Sequence, residues 1–241
     1  VESQHGLPSP HPRLPLTKTF FFPGFNEKTG GLLRERHIEP QLLRAAPDEP
    51  LRIFAFTYDA ACIDALCHAI AADARAARVV VAGMWKDKLK HWCGTQATIA
   101  SNASTALEFH EFVPQAQFDA LLAAHDLLLV RGEDSLVRAL WSGRPFVWQL
   151  YRQADDAHLP KLEAFLDWYA GDMSEPLRTV WQDFSRAWNG GTPAQILSAW
   201  PRLRDQWKEW CTYAADRSIR QMQQPDLASN LLSFFGKMAR M

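Results

Sequence analysis

The residues whose types and spacing best fit a chemical task lie within one stretch, His125–Gln149 (HDLLLVRGEDSLVRALWSGRPFVWQ). Arg131 offers a planar fork of N–H donors that matches the geometry of phosphate oxygens. Just beyond it, Glu133, Asp134 and Ser135 stand where a helix begins. The amides of a helix's first turn point out of its end and carry a partial positive charge, so they can face the same anion. Ser135 adds a hydroxyl. A plainer reading has Asp134 and Ser135 capping a helix while Arg131 pairs with a nearby carboxylate, and the residues themselves leave both readings open. Glu133 tips the balance toward a ligand. A carboxylate beside an anion site is unfavourable unless it binds something else, such as sugar hydroxyls or a cationic acceptor.

These side chains need elements to hold them. The apolar run Leu127–Val130 is too short for an independent helix and suits a strand buried on both faces of a parallel sheet. Leu136, Val137, Leu140 and Trp141 then recur at helical spacing, and Pro145–Trp148 is a second short apolar run after a turn at Ser142-Gly143. The stretch therefore reads strand, tight turn, helix, strand. In open α/β sheets ligands bind just past the carboxyl ends of the strands, where helix N-termini point at them, and Arg131–Ser135 occupy that position. Further strands are expected at Thr17–Phe22, Leu51–Phe56, Arg78–Ala82 and Leu107–Phe112. Helices are expected at Leu32–Leu43, Ala60–Ala76, Trp85–Trp92 and Gln115–Ala124. Strands alternating with helices at this spacing indicate a parallel, doubly wound sheet.

Past Tyr151 the strand signal fades. Amphipathic helices are expected over His158–Tyr169, Glu175–Trp188, Pro193–Ala214 and Asp226–Met238, their recurrent tryptophans serving as packing. His158 reads as a surface or capping residue. Aromatic residues fall at other strand ends on what should be the same edge: Phe56 and Tyr58, then Phe112 and Phe118 with Gln115 between them, then Tyr151. Their faces could sandwich a nucleobase while Gln115 hydrogen-bonds its edge. Each alone is an ordinary core residue; their convergence carries the argument and requires the proposed sheet.

Composition excludes several classes. Of 241 residues, 27 are acidic and 26 basic, so there is no basic excess to recruit nucleic acid. No apolar run approaches the roughly eighteen residues of a membrane span; the four scattered cysteines fit a reducing cytoplasm, which is the expected compartment. There is no GxGxxG or GxxxxGK[ST] turn, no GxSxG elbow, and no close histidine spacing for a metal. Cys62, Cys67, Cys93 and Cys211 are scattered and read as buried or inert thiols.

Pro8, Pro10, Pro12 and Pro15 make Val1–Leu16 a linker by composition, and the absence of a starting Met raises the expectation that something lies upstream. Several blocks in combination, FFPGFNEKTGGLLRE (Phe21–Glu35), FTY (Phe56–Tyr58), RGEDSLVRALWSGRPFVWQLY (Arg131–Tyr151) and the following Gln153, His158 and Lys161-Leu162, resemble the elongation factor P arginine rhamnosyltransferase family. The resemblance implies a GT-B glycosyltransferase with Rossmann-like domains. Residues 17–241 would then be a nucleotide-sugar-binding domain with a helical carboxy-terminal tail. It further implies dTDP-β-L-rhamnose as donor, inversion at the anomeric carbon, no metal, and an arginine of elongation factor P as acceptor.

Carried over by position, the donor pocket falls on Phe56, Tyr58, Phe112, Gln115, Phe118, Arg131, Gly132, Asp134, Ser135 and Tyr151, with Glu133 as the catalytic carboxylate. The aromatic residues and Gln115 would hold thymine; Arg131, Ser135, nearby amides and Tyr151 would hold the diphosphate. The family's amino-terminal acceptor domain, with a catalytic aspartate, is expected to lie outside these 241 residues. The chain by itself should then bind donor but transfer rhamnose poorly or not at all. The competing expectations are another nucleotide-sugar GT-B enzyme and a non-catalytic protein-binding module.

Overall fold

The computed structural model describes residues 2–35, 49–73, 75–90 and 105–238. Cys93, Trp92 and most of the helix expected over Leu32–Leu43 lie outside these residues; Leu32–Glu35 are in no helix. The chain divides into two compact units, residues 40–217 and residues 1–39 with 218–241.

The larger unit is built on five parallel strands: β3 (Leu51–Ala55), β4 (Ala77–Ala82), β5 (Thr105–His110), β6 (Leu127–Arg131) and β7 (Phe146–Gln149). They lie in the order β5-β4-β3-β6-β7. From β3 the chain winds outward to β4 and β5, then returns to the other side of β3 and winds outward again through β6 and β7. Right-handed crossovers place the helices of the two halves on opposite faces. β3 and β6 pair directly, Ile53 with Leu127 and Ala55 with Leu129, so the order reverses between these two strands. That reversal opens a crevice past their carboxyl ends. The strands are apolar on both faces because both faces are covered. All of Leu127–Val130 and Phe146–Gln149 is buried.

Local sequence explains the helices that follow the strands. Helix α1 (Ala60–Ala71) starts where the Asp59 carboxylate accepts the Ala61 N–H, and it buries Ile63, Leu66, Cys67 and Ile70. It is shorter than expected, ending at Ala71 rather than Ala76. The basic helix expected at Trp85–Trp92 is the single turn α2 (Lys86–Leu89). Helix α3 (Gln115–Ala123) packs on α4 (Gly132–Ser142), which stops at Gly143 in the left-handed conformation, φ 68°.

The tail supplies α5 (His158–Tyr169), α6 (Glu175–Gly190), α7 (Pro193–Asp205) and α8 (Trp207–Met222). Ser174 caps α6, and Thr192 with Gln195 forms a capping box at α7. The helix expected over Pro193–Ala214 is thus two, divided at Gln206, whose backbone (φ −91°, ψ 11°) leaves the α-helical region. α6 packs on β7 and α7, and α7 packs on α1. Trp181, Trp188, Trp200 and Trp210 are fully buried among these helices, as packing residues should be. His158 is also buried, contrary to the surface position expected. Its Nδ1 accepts the Gln153 N–H and fastens the loop entering α5.

In the smaller unit, β1 (Pro8–Pro10) pairs antiparallel with β2 (Thr17–Thr19), so the proline-rich segment carries a short strand where a linker is expected. β2 ends before Phe20, short of the Phe22 expected. The FFPGFNEKTGG loop is closed by Gly24 N–H to Gly31 O (3.0 Å) and Gly30 N–H to Phe22 O (2.7 Å). α9 (Leu227–Met238) starts on the Asp226 carboxylate, which accepts the Ala228 and Ser229 amides.

Candidate functional site

The crevice between β3 and β6 is where the chemistry-bearing residues meet. β6 ends at Arg131, and Gly132 turns the chain into α4 with φ +72°, a conformation that costs other L-residues about 1–2 kcal/mol. The turn is pinned by Trp148, whose indole Nε1–H donates to the Gly132 carbonyl at 2.9 Å. As a result α4 starts earlier than its sequence suggests. Arg131 is the N-cap and makes no side-chain capping bond, while Asp134 and Ser135 lie within the first turns. Neither therefore caps the helix, which removes the plainer reading of RGEDS. The amides of a helix's first turn have no partner within the helix and point out of its N-terminal end.

Arg131 is held by aromatic rings. Its guanidinium carbon lies 4.3 Å from the centroid of Phe56 and 4.6 Å from that of Tyr58, and Nη1 donates to the Thr57 carbonyl at 3.4 Å. Burial against the rings lowers its pKa from the ordinary arginine value, with Tyr58 opposing that shift. The guanidinium remains a cation whose desolvation an incoming anion would offset. Tyr58 is fixed through its backbone N–H, which donates to Gln149 Oε1 at 2.6 Å. Its ring meets Tyr151 edge-on at 5.5 Å, and a Cβ on Gly132 would stand 3.5 Å from its hydroxyl. Arg131, Gly132, Tyr58 and Tyr151 thus share one rim.

Beside this rim is a cavity of about 200 Å³ whose lining includes Phe56, Phe112, Gln115, Phe118, Asp134 and Ser135. Phe56 makes edge contacts with Phe112 (6.3 Å) and Phe118 (5.9 Å), and Phe118 also meets Phe54 (5.9 Å). Phe112 is 62% exposed, unusual for a phenyl ring with only packing to do. The cavity is walled mainly by apolar side chains, with polar groups supplied by Glu111, Gln115, Asp134 and Ser135, a lining that suits a flat heterocycle.

The two carboxylates at the start of α4 diverge. Asp134 accepts from Arg138 Nε at 3.0 Å, and Arg138 also binds Asp119 at 2.7 Å, so Asp134 belongs to a structural network. Glu133 projects outward and takes a hydrogen bond from Lys161 Nζ of α5 at 2.5 Å. That bond is the main reason its carboxyl sits below the usual carboxylate range. Ser135 is buried and lines the cavity from inside α4.

Of the residues singled out from the sequence, Phe56, Phe112, Gln115, Phe118, Asp134 and Ser135 line one cavity, Arg131 meets Phe56 and Tyr58, Tyr58 meets Tyr151, and Glu133 is turned to Lys161. Sequence reasoning missed the supports behind them. Gln149 is buried and spans from the Tyr58 amide to the Trp188 carbonyl, to which its Nε2 donates at 3.2 Å. The Thr57 carbonyl accepts from both Arg131 and Trp85 Nε1. Lys161 was visible only as part of a motif, with nothing local to pair it with Glu133. Among the described residues no group of three or more His, Cys, Asp or Glu could hold a metal ion, and no helix is long and apolar enough to cross a membrane.

Known proteins resemble this chain in sequence and fold. Residues 1–236 match the family model described as elongation-factor P (EF-P) rhamnosyltransferase EarP. The protein-arginine rhamnosyltransferases of Pseudomonas putida and Pseudomonas aeruginosa are each 36% identical over 98% of this chain, covering 67% and 68% of their own lengths. That of Shewanella oneidensis is 30% identical over 98% of this chain and 67% of its own. A solved structure described as the basis for EarP-mediated arginine glycosylation of translation elongation factor EF-P superposes with a TM-score of 0.74 at 30% identity. It covers 91% of this chain and 76% of that chain. With the doubly wound sheet, the RGEDS turn and relatives at this identity over nearly its whole length, the chain belongs to the EF-P rhamnosyltransferase family, EarP.

Proposed function

We propose that this protein transfers rhamnose from dTDP-β-L-rhamnose to an arginine side chain of EF-P, inverting the anomeric carbon, and that it works in the cytoplasm. The observation that carries the reading is the junction at the switch point. An aromatic cavity sized for a base opens onto a ring-supported arginine and the first turn of α4. The relatives' naming as protein-arginine rhamnosyltransferases supports the same chemistry.

In this reading Phe56, Phe112 and Phe118 enclose thymine and Gln115 hydrogen-bonds its edge. Arg131, Ser135, Tyr58, Tyr151 and the amides after Gly132 take the diphosphate, with Asp134 beside the sugar. The acceptor nitrogen attacks the anomeric carbon opposite the diphosphate, the bond from carbon to phosphate oxygen breaks, and dTDP departs with that electron pair. Positive groups aimed at the diphosphate stabilise the charge that develops on it. An arginine guanidinium has a pKa above about 12 and is a poor nucleophile until a carboxylate orients it and takes its proton. In this reading Glu133 takes that role, Asp134 being held by Arg138.

The test is a calorimetric titration with dTDP, UDP and ADP, coupled to mass spectrometry of EF-P after incubation with dTDP-rhamnose. Selective binding of dTDP by this chain is expected, and one added deoxyhexose on an arginine is expected where the acceptor domain accompanies it. Equal affinity for the three nucleotides, or none, would refute the assignment of the pocket.

A further inference from the structure

Resting on the reading of this crevice as the rhamnosyl-transfer site, we propose that Lys161 is a positioning residue that holds the Glu133 carboxylate ionised and aimed during transfer. Two features of the structure carry this. Lys161 Nζ reaches Glu133 Oε1 at 2.5 Å from a different helix, α5. The same ammonium lies 5.4 Å from the ring centroid of Trp148, whose indole N–H holds the Gly132 carbonyl. One tryptophan thus supports both the backbone before Glu133 and the cation that meets its side chain. Both partners are largely exposed, so the pair contributes little to folding and its geometry is available to the reaction.

The other charged groups around Glu133 are engaged elsewhere. Asp134 on its own helix faces Arg138, and Arg131 on β6 faces Phe56 and Tyr58. His158 at the start of α5 faces the Gln153 amide. Lys161 is therefore the group that sets the state of this carboxylate. A cationic acceptor arriving at Glu133 would meet a carboxylate that Lys161 already holds charged.

The experiment compares wild type, Lys161→Ala and Lys161→Arg in rhamnosyl transfer to EF-P across about pH 5–9, with donor affinity measured on the same preparations. Lys161→Ala should lower kcat by about tenfold or more and move the acid limb of the kcat profile to higher pH. Its affinity for dTDP-rhamnose should stay within about threefold of wild type, and Lys161→Arg should recover most of the loss. Unchanged kcat and acid limb in Lys161→Ala would overturn the proposal. So would a parallel loss of donor affinity, which would make Lys161 an ordinary diphosphate ligand. A ¹³C-carboxyl titration of Glu133, identified by its disappearance in Glu133→Gln, needs no substrate. It should move to higher pH in Lys161→Ala, and a titration identical to wild type would refute the pairing. Failure of wild type to bind dTDP-rhamnose would instead refute the reading of the crevice, so the two failures are distinguishable.

Discussion

Replacing Arg131 with alanine isolates the phosphate half of the crevice from the base half. The guanidinium makes one long hydrogen bond, 3.4 Å to the Thr57 carbonyl, and stacks on Phe56 and Tyr58. A bond of that length and a partly exposed cation–π contact together stabilise the fold by no more than about 1 kcal/mol. The urea midpoint should therefore barely move. A charge-assisted hydrogen bond to the diphosphate contributes about 1.5–3 kcal/mol, so dTDP should bind roughly 10- to 150-fold more weakly. Thymidine carries no phosphate, and its affinity should change by less than about threefold, which controls for damage to the aromatic wall. Arg131→Lys keeps the charge but loses the planar fork and much of the stacking, and should fall between the two. Calorimetry with dTDP and thymidine reads both numbers. The reasoning fails if Arg131→Ala binds dTDP within about twofold of wild type, or if thymidine loses as much affinity as dTDP.

Phe112→Ala should show the opposite pattern, weakening thymidine and dTDP alike by about 1–3 kcal/mol of lost base stacking. Because the ring is mostly exposed, its removal should leave thermal stability nearly unchanged in a melting scan. Gly132→Ala forces a Cβ onto a backbone at φ +72° with only an ordinary contact nearby, so its cost is conformational. Chemical denaturation should show a loss of about 1–2 kcal/mol, and an unshifted midpoint would contradict the left-handed turn. His125 is buried, and desolvation lowers its pKa while its Nδ1–H donates to the Leu121 carbonyl at 2.7 Å. A lowered histidine pKa means the unfolded chain takes up the proton first. Stability should then be full above about pH 6.5 and decline as the pH falls below it. His125→Gln should remove that part of the decline in urea titrations at pH 7.5 and 5.5, and an identical decline in the variant would refute the assignment.

Much of this molecule was legible because its signals are local. Runs such as Leu127–Val130 and Phe146–Trp148 are apolar at every position because parallel strands are buried on both faces, so composition alone announces them. Where two local rules competed, the sequence misled. Asp134 and Ser135 are good capping residues, yet Gly132 permits a tighter turn that starts the helix ahead of them, and Trp148 from the next strand holds it there. Gln206 similarly divides what periodicity read as one helix. The prolines of Val1–Leu16 read as linker because no local signal reveals the Thr17–Thr19 strand as a partner for Pro8–Pro10.

By itself, then, the sequence determined which residues can do chemistry and that they stand at strand ends, since residue type and period are written along the chain. Only the tertiary structure decided which strand ends are neighbours. β3 and β6 are joined across 74 positions, the spacing of both Ile53 from Leu127 and Ala55 from Leu129, because burial of both sheet faces demands a return crossover after β5.

 That long-range pairing brings Arg131 onto Phe56 and Tyr58, and the docking of α5 brings Lys161 onto Glu133. Neither contact has any trace in local sequence, because each depends on burying apolar surface contributed by segments far apart in the chain.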